Sequence, residues 1–486
     1  MQKYSGLNYT MLCDFYELTM GNGYFEAGLK DKITYFDLFY RTVPDGGGFA
    51  IAAGLEQAID YIRNLHFSEE DIDYLRGRGM FSEAFLDYLR HFKFTGDVWA
   101  MPEGTPVFPR EPIMVIRAPA IQAQLLETFL LLTINHQSLI ATKANRIVRA
   151  ADGRVVLEFG SRRAQGPDGG LAVARASYIA GASSTSNVLA GKIYGIPVFG
   201  THAHSWVMAF PNELEAFRAF AKSSPKNCVL LLDTYDVHQG IRNAITVAKE
   251  MEGSGERLSA VRLDSGDLAR LSKEARSAFD EAGLPYVKIS VSNDLDEYTI
   301  QSLFAQGAPI DSFGVGTKLA TCDPQPSLGG VYKLSAVRRD KSEPWTPVIK
   351  LSEQSYKRTV PGVQHVLRYY DQAGRPTADM LVVDDVAREG TPREMVDILD
   401  PYLTHRLSGE PEELLVKLVE HGRRTGGPEG IEVARERCRE ALMRLDPAVA
   451  RFLNPQTYPV GLELGLADLR SRLALEERAE SGRPTA

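Results

Sequence analysis

The chain has 486 residues, of which 44% are hydrophobic, 24% charged and 9% aromatic, a balance that excludes a disordered or fibrous protein. Its formal net charge of -8 gives no general attraction to polyanions, which excludes nucleic acid as the principal partner and makes any phosphate binding local. The opening segment MQKYSGLNYTMLCDFYELTM lacks the basic head and continuous apolar stretch of a secretory signal, and no later run reaches membrane-spanning length. A soluble, cytoplasmic protein with no membrane partner is therefore expected.

A chain this long exceeds one core and predicts about two or three domains. Residues 1–145 mix aromatic-rich segments with a glycine patch, VPDGGGFAIAAG at 43–54, and a proline-rich run, MPEGTPVFPREP at 101–112, which reads as an α+β N-terminal domain. Apolar residues at helical spacing over 120–150 predict a long helix joining the domains. Across 146–335, short apolar runs begin at RVVLEFG (154), IPVFG (196), CVLLLD (228), SAVRLD (259), YVKISVS (286) and DSFGVG (311). Helical stretches separate them, among them 174–195, 239–253, 266–283 and 295–307. Such alternation predicts a parallel sheet, closed as a barrel or open. Residues 336–486 read as a further mixed region whose last dozen residues, charged and poor in large apolar groups, form a frayed tail. Cys13, Cys228, Cys322 and Cys438 show no metal-ligand pairing and read as incidental thiols.

The polar residues collect just after the predicted strands, at the edge where parallel α/β sheets build their sites. After the first come Arg162 and Arg163 among the glycines of EFGSRRAQGPDGG; arginine forks and closely approaching backbone suit an anion. After the last come Gly314, Gly316 and Thr317, whose amides and hydroxyl can cradle a phosphate. His202 and His204 flank Ala203, so at most one is catalytic, and His204 is the better candidate base or nucleophile, with Asp233 at hand to orient it. Arg262 and Asp264 alternate on a strand and point the same way. Either they pair structurally, or Arg262 awaits an anionic substrate. Asp233, Asp264, Asp267 and Asp294 suit Mg²⁺ beside substrate phosphates, while helix capping is the alternative for Asp267 and Asp294; no individual metal ligand is assigned.

Taken in order, DFYELTMGNGYF, EFGSRRAQGPDGG, SSTSNVLAGKIYGIPVFGTHAHSW, LLDTYD, VRLDSGDL, VSNDLDE and GVGTKLATCDPQPSLGGVYKL resemble the nicotinate phosphoribosyltransferase family over residues 7–370; beyond 370 no motif matches. The resemblance implies an irregular, distorted α/β barrel of the phosphoribosyltransferase type, an N-terminal domain covering its mouth, and a homodimer with sites between subunits. It implies an ATP-dependent, ligase-class enzyme of NAD salvage that makes nicotinate mononucleotide from nicotinate and phosphoribosyl pyrophosphate with Mg²⁺. By the same resemblance Tyr16 and Thr201 contact nicotinate, Arg262 pairs with its carboxylate and Thr317 meets phosphoribosyl pyrophosphate. His204 is phosphorylated from ATP, with Asp233 orienting it and Asp264 joining them as catalytic residues. The rival readings are a nicotinamide phosphoribosyltransferase, against which the RRAQGPDGG and GTHAHSW blocks stand, and a non-catalytic metabolite-binding barrel.

Overall fold

The computed structural model describes residues 8–352, 358–384 and 391–480. The chain folds as two units, one of residues 140–326 and one that joins residues 1–139 to 327–486. The three consecutive regions expected from sequence are thus not consecutive in space, because the last of them shares a unit with the first. The joining helix is two pieces, Ala120–Gln124 and Glu127–Ala150, and the division between units falls inside the second.

Residues 140–326 carry the predicted parallel sheet. Its strands are β1 (Val155–Glu158), β2 (Ser184–Thr185), β3 (Val229–Leu231), β4 (Ala260–Leu263), β5 (Lys288–Ser292) and β6 (Ser312–Val315), in the order β2-β1-β6-β5-β4-β3. Every neighbouring pair is parallel. Helices follow the strands: α1 (Gly166–Ile179), α2 (Val188–Tyr194), α3 (His204–Met208), α4 (Glu213–Ser223), α5 (Val237–Gly253), α6 (Leu268–Glu281), α7 (Glu297–Ala305) and α8 (Thr317–Ala320). Asp236, Asp267 and Asp296 cap α5, α6 and α7, each accepting a first-turn N–H, so the acidic residues beyond β3, β4 and β5 partly serve helix initiation. Asp267 takes the capping alternative, whereas at α7 the cap is Asp296 and Asp294 is left free of that task.

Two sequence expectations change here. The predicted helix 174–195 is broken, because α1 ends at Ile179 and Gly181 turns left-handed with φ 115°, after which Ser184–Thr185 joins the sheet. The predicted IPVFG strand shrinks to one parallel bridge, Thr185 to Val198. A closed barrel would pair that edge with β3, but among the described residues no backbone ladder joins them. Instead the β3 residue Leu231 donates its N–H to His202 Nε2 at 3.2 Å, so a side chain takes the place of a ladder bond. Burial first, and then the charges of Arg262 and His204, push the His202 imidazole down to about 4, which keeps Nε2 an acceptor at neutral pH.

His202→Ala leaves a buried N–H unpaired, and a loss of about 1–3 kcal/mol is expected, read as a lowered urea midpoint. In wild type the depressed folded value favours the neutral ring, so this contribution is complete above the ordinary value of 6.5 and erodes as pH falls toward about 4. Subtracting the alanine variant's stability–pH curve should expose that acid limb; parallel curves would remove the latch.

In the other unit, strand Ile33–Tyr40 pairs antiparallel with both Met114–Pro119 and Gly330–Arg338 within a seven-stranded sheet. A six-stranded sheet is built wholly from residues 364–463. It is pinned to the N-terminal segment by buried Arg368, which pairs with Asp379 at 2.6 Å and donates to the Pro106 carbonyl at 3.0 Å. The expected frayed tail is helical as far as Glu480, within Leu464–Glu480, and its remainder, 481–486, lies outside the described residues.

Candidate functional site

The carboxyl ends of β1, β4, β5 and β6 surround a cleft of about 170 Å³. Its wall begins at Glu158, whose buried carboxylate accepts the Gly160 N–H and the Thr185 hydroxyl and so fixes the turn after β1. Burial raises that carboxyl's pKa against these two hydrogen bonds. The following turn, Ser161–Arg163, presents exposed Arg162 and Arg163 to the cleft. Phe159 donates its N–H to the Val315 carbonyl at 2.8 Å, and its ring lies where a Cβ at Gly314 would come within 2.7 Å. Only glycine lets the ring cross β6 there. Gly316 and Thr317 then open α8 on the same cleft.

Arg262 and Asp264 of the β4 edge line this cleft with Ser292, Asn293 and Asp294 from the β5 end. Asn293 has φ 103°, a conformation that non-glycine residues hold only under constraint and that concentrates at ligand sites. Of the two alternatives at Arg262, the internal pair with Asp264 is not formed. Its Nη1 donates to Thr201 Oγ1 at 2.6 Å, its Nε is buried without a partner, and among the described residues no carboxylate comes within ion-pair distance. Burial lowers its pKa, while Asp264 and Asp233 act the other way at longer range. Asp264 is occupied elsewhere: one oxygen accepts the Ser292 hydroxyl and the other lies 3.7 Å from His204 Nε2.

His204 opens α3 with its side chain 41% exposed, its Nδ1 3.2 Å from the Thr234 hydroxyl. Asp233, expected to orient this imidazole, instead accepts the Asp264 N–H at 3.0 Å and the Ser265 hydroxyl at 2.5 Å, which leaves the contact with Nδ1 to the next residue. The other Asp233 oxygen is buried and unpartnered. Arg162, Arg163, Arg262, Asp264, Gly314, Gly316 and Thr317 therefore share one cleft; Thr201 and His204 reach it through Arg262 and Asp264. Tyr16 belongs to the other unit, exposed on the helix Phe15–Glu26, and burial, with the nearby Glu127 carboxylate, raises its hydroxyl's pKa. Ser292 and Asn293 fall among the polar residues expected at the strand ends, though without a role of their own there, and Phe159 was given none.

Fold and cleft define a class: an α/β protein that offers cationic side chains and backbone donors to a small anionic molecule at the carboxyl edge of a parallel sheet. Three comparisons narrow it. Sequence models of the nicotinate phosphoribosyltransferase N-terminal domain, family and C-terminal domain match residues 11–135, 155–377 and 363–470. A nicotinate phosphoribosyltransferase of Mycobacterium tuberculosis is 40% identical over 473 residues, covering 97% of this chain and 95% of its own. That of Bacillus subtilis is 46% identical over 363 residues, covering 74% of this chain and 73% of its own. The crystal structure of the human nicotinic acid phosphoribosyltransferase superposes with a TM-score of 0.83 at 32% identity, covering 95% of this chain and 99% of that one. The chain belongs to the nicotinate phosphoribosyltransferase family. The segment after 370, in which no motif was recognised, is thus covered as far as 470 by the family's C-terminal domain.

Proposed function

We propose that the protein makes nicotinate mononucleotide and pyrophosphate from nicotinate and phosphoribosyl pyrophosphate, coupled to ATP hydrolysis through phosphorylation of His204. The observation that carries this reading is the Arg262 guanidinium, facing the cleft with no carboxylate partner among the described residues. A pyridine carboxylate supplies the missing counter-charge in a form that a planar donor fork matches. Thr201, bonded to that guanidinium, orients it.

In the transfer, the bond from the anomeric carbon to diphosphate breaks as the pyridine nitrogen bonds to the same carbon, and positive charge develops on the ribose. Catalysis then rests on alignment and electrostatics. Arg162 and Arg163 offset the charge of the departing diphosphate, and the Gly316–Thr317 loop holds the phosphate end. The donor set suits Mg²⁺: Asp264 and Asp294 line the cleft, and Asp233 keeps an unpartnered buried oxygen. Few carboxylates beside substrate phosphates is the arrangement this ion favours, and its charge would neutralise the diphosphate. Arg262 favours the acid over the amide, since nicotinamide leaves the guanidinium without its counter-charge.

The family resemblance supports a homodimer, action in the cytoplasm and a role in NAD salvage. Free cysteines accord with a reducing compartment, and among the described residues no helix is long and apolar enough to cross a membrane. Product formation from nicotinate, phosphoribosyl pyrophosphate and Mg²⁺, assayed with and without ATP, is expected to be present in both and faster with ATP. Equal or greater turnover of nicotinamide would overturn the substrate assignment.

A further inference from the structure

A second cavity, of about 330 Å³, lies in the unit formed by residues 1–139 and 327–486, and the cleft residues have no part in it. Arg110, Arg358 and Arg470 line it, with Ser471 beside them and an apolar wall that includes Val396 and Leu462. Guanidiniums gathered in one cavity repel each other, and here the chain does little to offset that. Arg358 Nε is buried with no hydrogen-bond partner, and Arg470 donates only to the Ile398 carbonyl, at 3.2 Å. Burial, and then the charges of Arg110 and Arg358, push Arg470 down to about 10.

The one carboxylate on the wall among the described residues is Asp397, which is committed to a turn. It accepts the Leu399 and Asp400 N–H groups at 2.8 and 3.0 Å and ion-pairs neither Arg358 nor Arg470. Arg110 adds a separate sign of constraint. Its φ is 76° while its N–H is held by the Tyr40 carbonyl at 2.8 Å, an unfavourable backbone for a long side chain and one that persists where surrounding structure imposes it.

We propose that this cavity is a second anion site, which takes the phosphate group of a small molecule. Arg358 and Arg470 bring two positive charges that no described carboxylate ion-pairs, which a phosphate carrying about -1.5 to -2 at neutral pH neutralises. Arginine forks fit its oxygens two at a time. Val396 and Leu462 leave an apolar side for the organic part of a phosphate ester, so free phosphate and a phosphomonoester share the recognition chemistry.

The test is a calorimetric titration of the full-length protein, separately with inorganic phosphate and with adenosine monophosphate. Wild type should bind one or both, and tighter binding of the nucleotide would identify an ester as the ligand. Arg358→Gln with Arg470→Gln should weaken binding tenfold or more, while Arg358→Lys with Arg470→Lys should keep part of it. Because the glutamines relieve repulsion, the ligand-free double variant should melt no lower than wild type, and about 2 °C higher is expected; added phosphate should raise the Tm of wild type more than that of the double variant, whose catalytic cleft is unchanged. Unchanged binding in the glutamine variant overturns the site. So does a lower ligand-free Tm, which would make the arginines structural, or a matching rise in the KM for phosphoribosyl pyrophosphate, which would assign them to the reaction itself.

Discussion

Arg262→Gln is expected to lower kcat/KM for nicotinate by about a hundredfold to a thousandfold while turnover of nicotinamide changes far less. Loss of a buried charge-assisted pair costs about 3–4 kcal/mol, and each 1.4 kcal/mol is a factor of ten. Glutamine keeps a polar amide at about the position of Nε, short of Nη1, so the Thr201 hydroxyl loses this donor while no charge is introduced. Stability supplies the control. Since among the described residues no carboxylate pairs with Arg262, its neutralisation strands no counter-charge there, and the melting temperature should hold or rise. An unaltered ratio of acid to amide turnover would show that the guanidinium does not read the carboxylate. A collapse of both activities with a fall in melting temperature would make Arg262 a structural residue.

The residues that carry this argument were legible in the chain because they sit where period-two apolar runs give way to polar residues. Arg162, Arg163, Arg262, Asp264, Gly314, Gly316 and Thr317 follow three different strands, yet all reach one cleft, since parallel strands deliver their carboxyl ends to the same edge. What stayed illegible depends on partners distant in sequence. Nothing local in Ile33–Tyr40 says that it pairs with Gly330–Arg338, so the N- and C-terminal segments read as separate domains. His202 was the lesser catalytic candidate beside His204, and its bond to the Leu231 N–H lies at an edge of β3 that has no ladder partner among the described residues. The choice between Asp233 and Thr234 turns on which way each side chain leaves the end of β3, and spacing cannot distinguish neighbours. Phe159 took no role from its place in EFGSRRAQGPDGG because its ring matters through the space that Gly314 leaves open.

His204→Ala should abolish the stimulation of product formation by ATP, and phosphoryl transfer from ATP to the protein with it, while transfer without ATP continues. The imidazole is exposed enough to meet a nucleotide, and the Thr234 hydroxyl beside Nδ1 leaves Nε2 as the nitrogen that takes the γ-phosphoryl group as ADP departs. Hydrolysis of that P–N bond returns inorganic phosphate and the free ring. Nε2 lies 3.7 Å from Asp264, a carboxylate that also accepts the Ser292 hydroxyl, so a phosphoryl group on that nitrogen would add negative charge beside the strand edge that holds Arg262. That proximity would give ATP a physical route to the transfer site without any shared atom. Thr234→Val separates orientation from chemistry: it keeps the imidazole but removes the contact at Nδ1, and slower labelling from ATP with a normal basal rate is expected. Full ATP stimulation in His204→Ala would move the phosphoryl acceptor elsewhere. Loss of the basal rate to the same extent would place His204 in the transfer step itself.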